Sequence, residues 1–438
     1  MDLFGEAMAF ITLGTGVFLT VRLKGFQFTH LFASLRSVFS HEKRSDGMTA
    51  FQAAATALGG SVGTANIAGV AGAIALGGPG TVFWMWISAL VGMATKFCET
   101  FLAVKYGGGA MVCIDKGLGK RFKPLAAAFS VFGALASLIG TSLVQSNTIA
   151  LSALGAARSF GAVADKTPVL LAVGALTAIL TALVIFGGAR RIGRFSEKAV
   201  PFMALVYAAA CAAVIAVNVK RLIPALESIF SSAFGFRSAA GCAVGFGFKK
   251  TLSIGVARGV YSNEAGVGSS PMAHASSSGT DPVKHGMLGI FEVFADTIVI
   301  CSLTALALLT SGVLIPFGQS GASGAALASD AFSGIMGNAS SVFISLSILV
   351  FAFTSLVGWS LYGECCIKYL FGKRAVPVFR VIYVLLIPLG AVAPVDAVWR
   401  IGETFNYLMA LPNLFLLVLL AREAEAGILA YKMFEKRP

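Results

Sequence analysis

Gly59-Gly60-Ser61-Val62-Gly63-Thr64-Ala65-Asn66 sits inside an apolar stretch running from about residue 50 to 75. Glycine costs about 1 kcal/mol against alanine in a helix interior, so this run predicts a break rather than a continuous helix. Tyr261-Ser262-Asn263-Glu264-Ala265-Gly266-Val267-Gly268-Ser269 interrupts a second stretch, 240–275, in the same way. Around both, the chain is apolar throughout. Of its 438 residues 57% are hydrophobic and only 12% charged, against about 25% charged in a soluble domain. Runs of roughly 20 apolar residues, enough to cross a bilayer, recur along its length. Broken backbone at membrane depth is tolerated only where it lines a cavity or is buried in protein. Each interruption therefore marks a place to look for function.

Working outward, the spans read 4–22, 50–75, 80–104, 124–156, 167–187, 198–217, 240–275, 283–312, 341–364, 376–393 and 397–421, about eleven in all. The expected fold is all-α and integral to a membrane. A lead helix and basic loop (1–49) precede five spans that open with the first interrupted one (50–217). An amphipathic connector (218–239) joins them to five more that open with the second (240–421), and a tail follows (422–438). Groups of five start on opposite sides of the membrane, which makes an inverted repeat. Interrupted helices at matching positions of two inverted halves point to a transporter's binding site. The Gly-, Ala- and Ser-rich stretch 315–338 reads as a loop.

The net charge of +13 does not imply nucleic acid, because the bases lie in short loops. Twenty-three of the 33 Lys and Arg residues fall in loops on one side and six on the other. The positive-inside rule then places the N-terminus outside and the C-terminus in the cytoplasm, as an odd span count also requires. The seven cysteines lack metal-type spacing, and His30, His41, His274 and His285 are scattered, with no ligand cluster expected. No cofactor is expected. There is no HExxH motif and no GxSxG on a plausible turn to suggest an enzyme, and no filter sequence or charged ring to suggest a channel.

The motifs carry a family resemblance. Gly60 to Val70, Ala75-Leu76-Gly77-Gly78-Pro79-Gly80, Phe83-Trp84-Met85-Trp86, Ser262 to Pro271 with Ala273-His274-Ala275, and Phe351-Ala352-Phe353-Thr354-Ser355 with Gly358-Trp359 resemble the alanine/glycine:cation symporter family. The resemblance runs over nearly the whole chain. It implies a LeuT-type fold with one extra N-terminal helix, and sodium- or proton-driven movement of a small neutral amino acid. Ala65 stands where the family usually has Gly, and Ser61 where it has Thr.

A zwitterionic amino acid needs both signs of charge met away from water, and a helix break exposes amide N–H at one half-helix end and carbonyls at the other. The backbone at Gly63, Thr64 and Ala65, with Asn66, is expected to hold the carboxylate. The break near Tyr261, Ser262 and Asn263 is expected to hold the amine, with Gln145 and Trp359 as pocket wall. By resemblance to the LeuT-type ion site, Thr354, Ser355 and the carbonyls of Gly59 and Val62 would bind sodium, a hard cation suited to oxygen. Glu264 organises its break or carries a proton. Asp296 and Glu292, four apart on the eighth span, gate or pair with Arg258, Lys249 or Lys250. Lys96 and Glu99 are expected to pair on one helix face. The Ala65 methyl, directed at the substrate, would favour glycine or alanine.

Overall fold

The computed structural model of the chain describes residues 3–38, 48–159, 165–234, 247–277, 281–318 and 324–435. The expected start of the seventh span, with Cys242 and Arg237, lies outside them, as do His41, Lys43, Arg44, Lys436 and Arg437.

Among the described residues, nine helices are long and apolar enough to cross a membrane, from Phe4–Arg22 to Trp399–Met433. A tenth span is the bent pair Ala50–Ser61 and Ala65–Gly77, which meet at 49°. The count reaches eleven with the interrupted segment Phe248–Asn263 followed by Pro271–Ala275. At 16 residues Phe248–Asn263 is too short to cross a bilayer alone, and seven residues separate it from Pro271.

The surface inverts the pattern of a soluble protein. Large exposed side chains are apolar, among them Phe10, Leu183, Phe202, Leu205 and Leu385, while Lys96, Glu99, Asn66, Asp296, His274 and Glu292 are buried. Lipid supplies no hydrophobic drive between helices, so they associate through small residues that let backbones approach. Gly80 shows this: a Cβ there would lie 2.4 Å from the Ala233 backbone of the connector helix Leu222–Ala233. At Gly358, in the ninth span Ala339–Phe371, a Cβ would lie 3.1 Å from the Gly60 Cα.

The first broken span is punctuated by local chemistry at both points. Thr49 and Gln52 form a reciprocal capping box at its start. Its first half ends at Ser61, and Val62 adopts an extended ψ of 95°. The second break begins where Glu264 takes a left-handed φ of 55°, a conformation costing a non-glycine residue about 1–2 kcal/mol. Gly266 and Gly268, with φ of 97° and 81°, continue it without that penalty. Pro271 then opens the short helix that follows, at a position where its missing N–H costs nothing.

One expectation fails. Within the stretch read as a loop, Gly324–Met336 is a helix. Its Gly and Ser content lowers the hydropathy, yet alanine favours helix strongly. Leu327, Ala328, Ala331 and Phe332 pack into the core beside the first broken span. Gly324 sits so close to Ala68 that a Cβ would meet its carbonyl oxygen at 1.9 Å.

Candidate functional site

The two breaks meet in the middle of the bundle. At the first, Asn66 folds back on its own loop: its Oδ1 accepts the Gly63 N–H at 2.8 Å. Its Nδ2 donates across the bundle to Asp296 Oδ1 at 2.7 Å and to Ser262 Oγ at 3.0 Å. Ser262 donates to Asp296 Oδ2 at 2.6 Å and Thr297 to the same oxygen at 2.8 Å. Asn263 donates to Thr297 Oγ1 at 3.1 Å and accepts from the Ala265 N–H at 3.0 Å. Asn66, Ser262, Asn263 and Asp296 thus form one buried network that fastens both breaks to the eighth span.

A small cavity, about 30 Å³, lies beside this network. Gly63, Thr64, Ala65, Gln145, Tyr261, Glu264, Ser355 and Trp359 line it. Asn66, Ser262, Asn263 and Asp296 do not. The sequence reading missed Gly60, Ser61, Gly140, Thr141, Val144, Gly402 and Asn406, which also line it. Gly140 and Thr141 belong to a π-helical turn, Ala136–Thr141, within the fourth span. Such turns accompany functional sites, but a wider turn has no composition of its own. Asn147, two residues from Gln145, instead donates to the Gly390 and Ala393 carbonyls at 3.0 and 2.8 Å and joins helices.

Three buried polar atoms of the lining residues have no protein partner: Thr64 Oγ1, Gln145 Oε1 and Asn406 Oδ1. An unpaired buried polar group costs about 1–3 kcal/mol, so three around one cavity leave hydrogen-bonding capacity open there. The two amide oxygens accept only, whereas the hydroxyl can donate or accept.

Glu264 brings a carboxylate to the same cavity. Trp359 Nε1 donates to its Oε1 at 2.9 Å, and the Ser269 hydroxyl donates to its Oε2. Lys96 Nζ donates to the Glu264 carbonyl at 3.1 Å and lies 3.8 Å from Glu99. Glu99 Oε1 accepts the N–H groups of Gly266 and Gly268 at 3.0 and 3.1 Å. A pair three residues apart on the third span, Gly80–Tyr106, therefore serves both ends of the second break.

Thr354 and Ser355 lie against the first break. Ser355 Oγ is 3.2 Å from the Gly59 carbonyl and 3.1 Å from that of Phe351. Thr354 Oγ1 donates to Phe351 O at 2.9 Å. A Cβ at Gly63 would come within 2.8 Å of Ser355 Oγ, so glycine permits this approach. Val62 is buried at the turn between Gly59 and Gly63.

One further expectation is corrected. Arg258 pairs with Glu403 at 3.4 Å, and Lys249 with Glu6 at 3.3 Å. Neither pairs with Asp296 or Glu292. His274 and His285, eleven residues apart, touch at 3.0 Å through their Nδ1 atoms, and His274 also meets Glu292.

The model of the sodium:alanine symporter family matches residues 2–437. The sodium/alanine symporter AgcS of Methanococcus maripaludis is 40% identical, over 95% of this chain and 92% of its own length. A probable sodium/glutamine symporter, GlnT of Bacillus subtilis, is 36% identical over 99% and 89%. The putative sodium/proton-dependent alanine carrier protein YrbD, also of Bacillus subtilis, is 33% identical over 99% and 91%. Among solved structures, MhsT in complex with L-phenylalanine superposes with a TM-score of 0.55 over 89% of this chain and 99% of its own, at 16% identity. That likeness concerns the fold, which is LeuT-type. Two broken helices crossing mid-bundle, a polar cavity between them and a match along nearly the whole sequence agree: the chain is a multi-pass membrane transporter of the sodium:alanine symporter family.

Proposed function

We propose that the protein carries a small neutral amino acid, alanine or glycine, into the cell together with sodium, by alternating access. The observation that carries this reading is the set of unpaired atoms at Thr64, Gln145 and Asn406. The Thr64 hydroxyl, beside the backbone of Gly63 and Ala65, suits the substrate carboxylate. The acceptor oxygens of Gln145 and Asn406, with the Glu264 carboxylate, suit an ammonium group, which only donates. This shifts the amine from the expected carbonyl-rich break near Tyr261, Ser262 and Asn263, of which Tyr261 lines the cavity and the other two do not. Tyr261 and Trp359 close the walls. Ala65 narrows the pocket by one methyl relative to glycine, which favours the smallest substrates.

Sodium would sit among Ser355, Thr354 and the carbonyls of Gly59 and Val62, against the same break that meets the substrate. Binding either guest would order the break for the other, which is how one gradient can drive the other solute. A proton in place of sodium is the second reading, favoured by Glu264 and Asp296, two buried carboxylates at the breaks. We place the protein in the cell membrane of a prokaryote, N-terminus outside and C-terminus cytoplasmic, from the distribution of basic loops.

Uptake into proteoliposomes, with a sodium gradient and a panel of alanine, glycine, serine and glutamine, tests the whole reading. Sodium-dependent uptake of alanine or glycine is expected. Uptake that persists when sodium is replaced at fixed pH rejects the ion site, and accumulation of none of the panel rejects the substrate.

A further inference from the structure

Three buried titratable side chains play no part in the cavity. His274 is on the short helix Pro271–Ala275, which completes the second broken span, and His285 and Glu292 are on Pro282–Val293. All three are at most 2% exposed. Their contacts form a line. The Ser277 hydroxyl meets His285 Nε2 at 3.2 Å, His285 Nδ1 meets His274 Nδ1 at 3.0 Å, and His274 Nε2 meets Glu292 Oε1. Ser270 then donates to Glu292 Oε2 at 3.4 Å, and Lys96 donates to Ser270 at 2.9 Å. One assignment of protons satisfies every contact: Ser277 donates to His285, His285 to His274, and His274 to Glu292.

The surrounding charges show where a proton is wanted. The third span contributes Lys96 and Glu99, and the second break contributes Glu264, so one ammonium faces three carboxylates with Glu292 included. Glu99 has Lys96, two backbone N–H groups and Asn413. Glu264 has Trp359 and Ser269. Glu292 has His274 and the longer Ser270 contact, and a buried charge short of partners costs several kcal/mol. Tyr362 and Cys365 approach from the ninth span, and Lys284 acts on His285 from its own helix. Leu31–Ser37 carries Arg36, and Ala50–Ser61 carries no titratable side chain. On the last helix, Glu423 and Glu425 pair with Lys105 and Arg22, and Lys432 lies over Phe26.

We propose that His285, His274 and Glu292 form a proton-binding relay that opens at the half-buried Ser277 and ends beside the second break. A proton added at His285 Nε2 is matched by transfer of the Nδ1 proton to His274 Nδ1. The His274 Nε2 proton passes in turn to Glu292. One proton enters, both imidazoles finish neutral with their protons on the opposite nitrogens, and Glu292 becomes a carboxylic acid. Losing that charge weakens the tie from Glu292 through His274 and Ser270 to the short helix after the break. The half-helix then moves more freely, and transport speeds up as pH falls.

The test measures alanine uptake into proteoliposomes at fixed sodium gradient, with the same pH on both faces, so that no proton gradient contributes. Uptake at neutral pH tests the symport reading; its change with pH tests the relay. Over the pH window in which the vesicles hold their sodium gradient, the wild type should accelerate as pH falls, by at least about fivefold, the lower end of typical coupling between sites. His285→Gln and Glu292→Gln should transport at neutral pH with a flat profile, while His30→Gln keeps the wild-type one. A flat wild-type profile, or variants that retain its slope, overturns the relay. Should the variants not fold, histidine-selective NMR on the wild type decides. Two imidazoles exchanging tautomer together in that window support the relay, and two that stay constant overturn it.

Discussion

The two breaks look alike in sequence, each a few glycines among hydrogen-bonding side chains, yet the structure treats them in opposite ways. The first is folded back on itself by Asn66, touched by Ser355 at the Gly59 carbonyl, and keeps the Thr64 hydroxyl unpaired at the cavity. The second is held from outside. Lys96 takes the Glu264 carbonyl, Glu99 the Gly266 and Gly268 amides, and Asn413 the Gly266 carbonyl at 3.0 Å. At the first break one hydroxyl, that of Thr64, has no partner in the protein. At the second those backbone groups are met by the protein, so it contributes shape, and a carboxylate, rather than bare backbone.

Breaking the contrast should cost most at the second break. Lys96→Met strands Glu99 in the bundle, and removing one partner of a buried pair costs about 3–5 kcal/mol. The detergent melting temperature should drop with uptake, and Lys96→Met/Glu99→Gln should recover part of the loss. A single variant that melts like wild type denies this pair its role.

At the first break, function should fall without stability. Thr64→Val or Gln145→Leu should weaken alanine binding by about 1–3 kcal/mol, roughly five- to 150-fold. Melting should be unchanged or higher, because a buried unpaired atom is gone. Parallel loss of both would place these residues in the scaffold. Ser355→Ala should raise the half-saturating sodium concentration by about tenfold, or 1.4 kcal/mol, and affect uptake least at saturating sodium. Equal loss at every sodium concentration counts against the ion site. The smallest effect is expected at Ala65→Gly: admission of serine or threonine relative to alanine should improve up to roughly tenfold, the scale of one methylene. Unchanged selectivity removes Ala65 from the size filter.

How far the sequence reached follows the same physics. Spans and breaks were legible because a bilayer demands long apolar runs and glycine announces where they stop. Lys96 and Glu99 were legible as a pair because three residues close a helical turn, although their service to the second break was not. Gly402 and Asn406 escaped notice because Arg400, Glu403, Thr404 and Asn406 crowd the same two helical turns, and composition does not say which of them faces inward. The His274–His285 contact was hidden because it depends on how the chain turns back between two helices. The helix Gly324–Met336 was hidden because small residues lower hydropathy while leaving helix propensity high.

The contact of Gly358 with Gly60 has a mechanical consequence. With no side chain between them, the ninth span and the first half of the broken span touch backbone to backbone, and a Cβ on Gly358 would also come within 3.2 Å of the Thr56 carbonyl. Such a joint has almost no slack. Rocking the broken span must drag the ninth span along or slide it on a smooth glycine bearing. Either way, Ser355 on the ninth span and Thr64 beyond the break keep their spacing only as far as that joint holds.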